Sequence, residues 1–187
     1  VIRWLLLLCG GALLGGVVHL ATIIILPRTA TQDAYARLTP IAPVNTVTAI
    51  PLPKPENATM PFMDPAFASA VCRYDLSKGP LKLTVPVSLA YTSISFYTRY
   101  DVAYYAINDR ADGRRVVELD LMTAEQHNQM PEDEDVTAAD RLIVESPTLT
   151  GIIAIRALAA EPGLMPMAQS AIAGARCFAP PPPGPGR

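Results

Sequence analysis

From Trp4 to Leu26 the chain carries no formally charged residue. At about 1.5 Å per residue, a helix over this run is about 34 Å long, close to the thickness of a bilayer's hydrocarbon core. A cleaved signal peptide has an apolar core of only about 7–15 residues and then a small-x-small site. The run therefore reads as a transmembrane anchor over residues 1–28, with cleavage as the alternative. Leu8 stands where a lipoprotein signal places a small residue before its cysteine, which argues against lipidation at Cys9. Pro27 and Arg28 are predicted to end the helix at the interface. Arg3 lies on one side of the span, and Arg28 and Arg37 on the other, so positive charge alone does not orient it. The short flank before the span and the long domain after it favour an inner-membrane protein with its C-terminal part in the periplasm. Within the run, Gly11 with Gly15, and Ala12 with Gly16, form a small-xxx-small face on which a second helix could pack, although glycine is common in spans. His19 reads as a neutral imidazole near the outer interface rather than a cofactor ligand, since no second ligand accompanies it.

The remainder of the 187 residues suffices for one domain, not two. Seven prolines, at positions 40, 43, 51, 53, 55, 61 and 65, exclude a regular helix between Thr39 and Pro65 and disfavour central-strand pairing. Residues 29–65 are read as a Pro-rich arm: Thr29 to Leu38 as a short polar helix or turn leaving the membrane, and Thr39 to Pro65 as an extended stretch draped over the domain by Ile41, Val44, Val47, Ile50, Phe62 and Phe67. Past it the hydrophobic period becomes two. Leu81, Leu83 and Val85 alternate with Lys82 and Thr84, and Thr92, Ile94 and Phe96 with Ser93, Ser95 and Tyr97. Further strands are predicted at 69–76, 102–107, 114–121, 141–145 and 151–158, with one or two helical turns at 124–130. A short helix is predicted at 168–176, ending at Cys177. The fold expected over residues 66–178 is thus mainly β, an antiparallel sandwich or partly closed barrel with a short C-terminal helix, followed by a Pro-rich, disordered tail at 179–187.

With a net charge of −2 and no basic tract, nothing here has the electrostatic footprint of a nucleic-acid binder. The three cysteines are Cys9, inside the apolar run, and Cys72 and Cys177 near the two ends of the domain. In an oxidising compartment the latter two can pair; two free buried thiols are the alternative. Metal and nucleophile patterns are sparse. His127 is the sole histidine of the soluble part and reads as an exposed surface residue. Glu132 to Asp135 lack the glycine and spacing of a calcium loop. The sequon-like Asn57-Ala-Thr59 reads as coincidence. No cofactor, metal or catalytic residue is expected, and the balance leans away from an enzyme.

The strongest polar cluster is Asn108, Asp109 and Arg110 with Asp112 and Gly113, read first as a hairpin turn and second as a ligand-contacting loop. Arg73 is a candidate for an ion pair with Asp75. Tyr91, Tyr97, Tyr100, Tyr104 and Tyr105 concentrate on two neighbouring strands. Tyr104 and Tyr105 should point to opposite faces, leaving at least one outside the shared core. Arg73, Tyr97, Asn108, Asp109 and Arg110 are the candidate ligand or partner contacts.

The stretch from Asp64 to Pro80, with Ser93–Tyr97 and Tyr105–Arg110, resembles the domain of unknown function 1254 family. The short, membrane-anchored bacterial branch is similar also at Leu26-Pro-Arg28, Asp33-Ala-Tyr-Ala-Arg37 and the Ala-Arg-Cys ending at Cys177. Members usually carry a tryptophan in the strand that runs here from Tyr91 to Phe96, whereas this chain's one tryptophan is Trp4, which implies a smaller core contact. The resemblance implies no assigned activity. It implies a partner, because longer relatives carry a second β-domain that in short relatives is a separate, membrane-anchored chain. The function expected is an envelope accessory or scaffold protein paired with such a chain; the alternative is a carbohydrate-binding or hydrolytic enzyme subunit.

Overall fold

The structure, a computed structural model, describes residues 2–29, 33–54, 56, 59–110, 115–130 and 142–180. The Asp112–Gly113 end of the predicted turn, the acidic loop at 132–135, Asn57 of the sequon and the tail beyond 180 lie outside these residues. The chain divides into two units, the first ending at Asp33 and the second starting at Ala34.

The first unit is α1 (Ile2–Thr29), and its segment Ile2–Leu26 is long and apolar enough to cross a membrane. None of that segment is buried within the chain. Thr22 satisfies its hydroxyl internally by donating to the Val18 carbonyl at 2.8 Å. Contrary to expectation, the helix continues through Pro27 to Thr29. Proline's φ fits a helix and forfeits one N–H bond, which so near the end leaves the remaining ladder intact.

The second unit contains α2 (Ala34–Leu38), β1 (Val47–Ile50), β2 (Phe67–Asp75), β3 (Leu81–Pro86), β4 (Thr92–Thr98), β5 (Ala103–Asn108), β6 (Val116–Thr123), α3 (Ala124–Asn128), β7 (Leu142–Ser146), β8 (Thr150–Leu158), α4 (Met165–Ala173) and β9 (Arg176–Phe178). Five strands pair in the order β1-β2-β8-β4-β5 and four in the order β7-β6-β3-β9. Among the described residues neither sheet closes on itself, as the sandwich form of the expected fold requires. All pairs are antiparallel except β6 with β7. Alternation produces the packing: Leu81, Leu83 and Val85 from one sheet, and Ile94, Phe96, Ile153 and Ile155 from the other, meet in one buried core. Each such side chain contributes about 1.5–3 kcal/mol on burial. The Cys72–Cys177 disulfide crosses this core from β2 to β9.

Among the described residues nine strands form where about seven were predicted. The two additions are β1, inside the proline-rich arm, and β9, which holds Cys177. The helix predicted to end at Cys177 stops at Ala173 instead, because Cys177 pairs with Leu83 on β3 while its sulfur bonds Cys72. β1 is an edge strand, compatible with prolines at its flanks, and its entry is pinned by Asn45. In the left-handed region at φ 56°, Asn45 accepts the Asp75 amide at 2.8 Å and donates to the Asp75 carbonyl at 3.1 Å.

The tyrosine pair also departs from simple alternation. Between Phe96 and Tyr97 the register with β5 shifts, so that Phe96 faces Tyr105 while Tyr97 faces Ala103. Tyr104 is the extra residue of this bulge. Both tyrosine rings consequently reach Phe96, with centroids 6.2 and 5.7 Å away, and both pack on the same core.

Candidate functional site

Side chains on the outer face of the five-stranded sheet stand in transverse rows fixed by register. One row runs Ile50, Ser69, Arg156, Ser93, Asn108; the next Thr48, Val71, Ala154, Ser95, Ala106; the third Arg73, Ile152, Tyr97, Ala103. Two of the predicted contacts, Arg73 and Tyr97, thus flank the same Ile152. The arm covers this end of the face: Leu38, Ala42, Ile50, Val71 and Ile152 form a second apolar cluster, with Tyr35, Met60, Met63 and Tyr97 packed against it. Where the arm stands off the sheet, a groove of about 450 Å³ remains, floored by Val71 and Ala154 and walled by Met60, Met63 and Tyr97. Asp64, Asp101 and Arg156 are its charged borders.

Arg73 holds the arm down. It is buried, and its guanidinium donates to the carbonyls of Thr39 and Ala42, both at 3.1 Å. It also donates to the Tyr35 hydroxyl at 3.4 Å and lies 4.6 Å from that ring's centroid. Arg99 approaches the same ring at 4.3 Å. Arg73 Nε is buried without a hydrogen-bond partner among the described residues. The charge is therefore compensated by carbonyl dipoles and an aromatic face. Asp75, the ion-pair partner considered for it, instead accepts the Ser77 amide at 2.9 Å. That bond holds its carboxyl below the usual range, with the Ser77 side chain contributing and Lys78 adding to it. Replacing Arg73 by Ala is expected to cost about 2–3 kcal/mol and to expose the arm, because two carbonyls lose a charged donor. Limited proteolysis should then cut within residues 34–65 well before the sandwich unfolds; an arm as resistant as wild type would refute this lock.

At the same end of the sandwich, on the inner face, the buried Tyr74 hydroxyl donates to the Tyr97 carbonyl at 3.2 Å and shares a hydrogen bond with Ser146 at 3.0 Å. Tyr104 donates to Tyr74 at 3.2 Å. Burial pushes the Tyr104 phenol far up; its bond to Ser146 opposes this only in part, and Tyr74 reinforces it. A phenol whose proton is held more tightly in the folded state contributes stability that is complete below the unfolded value of about 10 and is lost as pH rises beyond it. Alkaline unfolding should accordingly be less steep in Tyr104→Phe than in wild type, followed by circular dichroism alongside phenolate absorbance.

The Asn108–Arg110 segment lies at the far end of β5. Asn108 Oδ1 accepts the Arg110 amide at 3.1 Å, and the Asp109 amide donates to the Thr92 carbonyl at 3.0 Å, as a strand-ending turn requires. Asp109 Oδ1 is buried without a partner among the described residues, and Arg110 is exposed. The structure thus places Asn108 two strands from Arg156 in one row but does not bring Asp109 or Arg110 to the groove. His127 pairs with Glu145 at 2.7 Å across the β6–β7 side. Among the described residues no group of three His, Cys, Asp or Glu converges on a point that could hold a metal.

A family model described as a protein of unknown function, DUF1254, matches residues 44–178. The chain belongs to the DUF1254 family. The match takes in both bridged cysteines, Arg73, Tyr97 and Asn108–Arg110, and begins after α2, so that Tyr35 and Leu38 lie outside the DUF1254 region proper. Among solved structures, the chain is similar to the VPA0106 protein from Vibrio parahaemolyticus, with a TM-score of 0.60 at 11% identity, over 83% of this chain and 35% of that one. A putative uncharacterized protein from Burkholderia cenocepacia aligns with a TM-score of 0.48 at 16% identity, over 85% of this chain and 48% of that one. The DUF1254 chain therefore spans about a third to a half of these proteins, and the Vibrio likeness is one of fold. A comparison with curated proteins finds no match.

Tyr35, Arg99 and Arg156 escaped the sequence reading. Tyr35 had a signal, since it lies in the Asp33–Arg37 stretch that carried part of the family resemblance. Arg156 had none, being one arginine in an apolar strand.

Proposed function

We propose that this chain is a single-pass inner-membrane protein whose DUF1254 sandwich faces the periplasm. There it serves as an accessory or scaffold unit paired with a second membrane-anchored β-domain protein. The observation that carries the reading is α1, an apolar helix with no buried residue along its candidate span. An added Cβ at Gly11 or Gly15 would meet nothing within 4 Å, so the small-residue face is available to another helix. The disulfide supports the periplasmic side, since such bonds persist in oxidising compartments. The larger size of the Vibrio protein, of which this fold is 35%, supports the idea that the sandwich works beside further domains.

Two experiments test the reading. In a Cys9→Ser background, a cysteine placed at the exposed Leu89 should be labelled by a membrane-impermeant thiol reagent while the inner membrane is intact, with the buried Cys72–Cys177 pair silent; labelling only after the inner membrane is opened would reverse the orientation. Isolation of the full chain from gently solubilised membranes should recover one stoichiometric membrane-anchored partner, lost on Gly11→Leu/Gly15→Leu. A chain recovered solely as a free monomer would sink the pairing, and turnover or saturable binding of an envelope glycan would favour an enzyme subunit instead.

A further inference from the structure

The turn Met60-Pro61-Phe62-Met63 presents an aromatic ring that its own chain leaves bare. Phe62 is fully exposed, and its φ of 58° lies in the left-handed region, where a turn ordinarily carries Gly or Asn. A bulky residue held there is strained, and such strain gathers at sites of contact rather than in passive loops. Exposed aromatic side chains that fill a facing pocket are the dominant anchors of protein interfaces.

A hole lies beside this knob. The groove over Val71 and Ala154, about 450 Å³ in volume, has an apolar floor, and Pro61 and Phe62 stand on its rim. Its border carries charges of both signs. Arg156 is an exposed guanidinium set between Ser69 and Ser93, with no hydrogen bond or ion pair among the described residues. Asp64 follows Phe62 by two residues, is exposed, and uses one carboxylate oxygen to accept the Ala66 amide at 2.9 Å. Asp101 accepts the Ala34 amide at 3.0 Å. Knob, hole and opposite charges thus share one face of one chain. That is what an isologous contact requires, since in a twofold dimer residue i meets j while j meets i.

We propose that two copies of this chain pair through this face, each inserting Phe62 into the groove of the other and setting its Asp64 against the other's Arg156. Charge complementarity selects a second copy as the occupant. A ligand of either sign alone meets a like charge on the border, whereas a copy turned by 180° offers each Arg156 a carboxylate. The inference stands on the second unit alone and is independent of the anchor reading.

The test uses the full chain in detergent, carrying Cys9→Ser and Gly11→Leu/Gly15→Leu so that neither a free thiol nor the helix joins copies. Sedimentation should show a reversible dimer. Benzoylphenylalanine in place of Phe62, in an equal mixture of light and isotope-labelled chains, should on illumination join position 62 to residues 69–71 or 152–156 in peptides of mixed isotope. Phe62→Ser and Ala154→Trp should each abolish the dimer, a retained thermal midpoint and an intact Cys72–Cys177 bridge reporting that the variant is folded. Phe62 is exposed, so its variant decides the matter even if Ala154→Trp does not fold. Asp64→Arg and Arg156→Asp should each weaken association at least about tenfold by placing like charges face to face, and the chain carrying both should recover to within about threefold of the parent. A parent chain that sediments as a monomer would overturn the proposal. Cross-links within single copies, which mean that Phe62 folds onto its own groove, would do the same, as would a double charge variant no better than its parents.

Discussion

Replacing Cys72 and Cys177 together by Ala is expected to lower the stability of the sandwich by about 4.7 kcal/mol. That is the loop-closure value for a cross-link spanning about 100 residues, and the bridge has a sequence separation of 105. For a unit of this size the midpoint of thermal unfolding should fall by on the order of 10–20 °C. The location of the bridge also determines what is lost first. β9 is only three residues long and lies at the edge of its sheet, paired to β3 by Lys82, Leu83 and Thr84. Cys177 is its one buried side chain, and its sulfur bonds Cys72 on the opposite sheet. Without the bond, β9 should fray before the rest, and hydrogen exchange at residues 176–178 should accelerate under conditions where β2 and β8 stay protected. The measurement is circular dichroism of the full chain with and without reductant, beside the double variant, all in a Cys9→Ser background that removes the exposed third thiol. A loss smaller than about 1 kcal/mol would mean that the bridge constrains little in the unfolded chain.

The cysteine pair was legible because two thiols at opposite ends of a domain have few alternatives once the compartment is set. β3 and β4 were legible for a different reason. Leu81, Leu83 and Val85 on one, and Ile94 and Phe96 on the other, have one face buried and one facing outward, so period two is written directly into the sequence. β1 escaped because four residues between prolines are too few to show a period, and their pairing depends on Asn45, whose role is visible only when Asp75 is beside it. Tyr104 and Tyr105 misled because alternation presumes an unbroken ladder, and a bulge breaks it without marking either residue. Arg73 was considered for an ion pair with Asp75, and the structure gives it other partners. Its partners are carbonyls supplied by residues 39 and 42, which no pattern of side chains encodes. The groove was illegible for the same reason: it exists only because the arm folds back over β8, and Arg156 acquires meaning from Ser69 and Ser93, far away in the chain.

Gly151→Ala is expected to destabilise the sandwich by about 3–5 kcal/mol, the sum of an overpacked core position and buried hydroxyls left without partners. The backbone at Gly151 is ordinary, so the requirement is for space. A Cβ there would collide with the carbonyl oxygen of Tyr97 and with the ring and hydroxyl of Tyr74. The Tyr97 oxygen belongs to the β4–β8 ladder and cannot retreat without breaking it. Tyr74 cannot swing aside either, being fully buried and bonded at its hydroxyl to Ser146, Tyr104 and the Tyr97 carbonyl. Either displacement strips partners from groups that water cannot reach. Gly163→Ala provides the contrast, since a Cβ at Gly163 meets nothing within 4 Å. There the same methyl should be neutral or add about 0.4–1 kcal/mol by restricting the unfolded chain. Chemical denaturation of the two variants beside wild type measures both effects, and opposite signs for one added methyl are the expected result. If Gly151→Ala unfolds within about 1 kcal/mol of wild type, β8 and Tyr74 separate more easily than their shared hydrogen bonds imply.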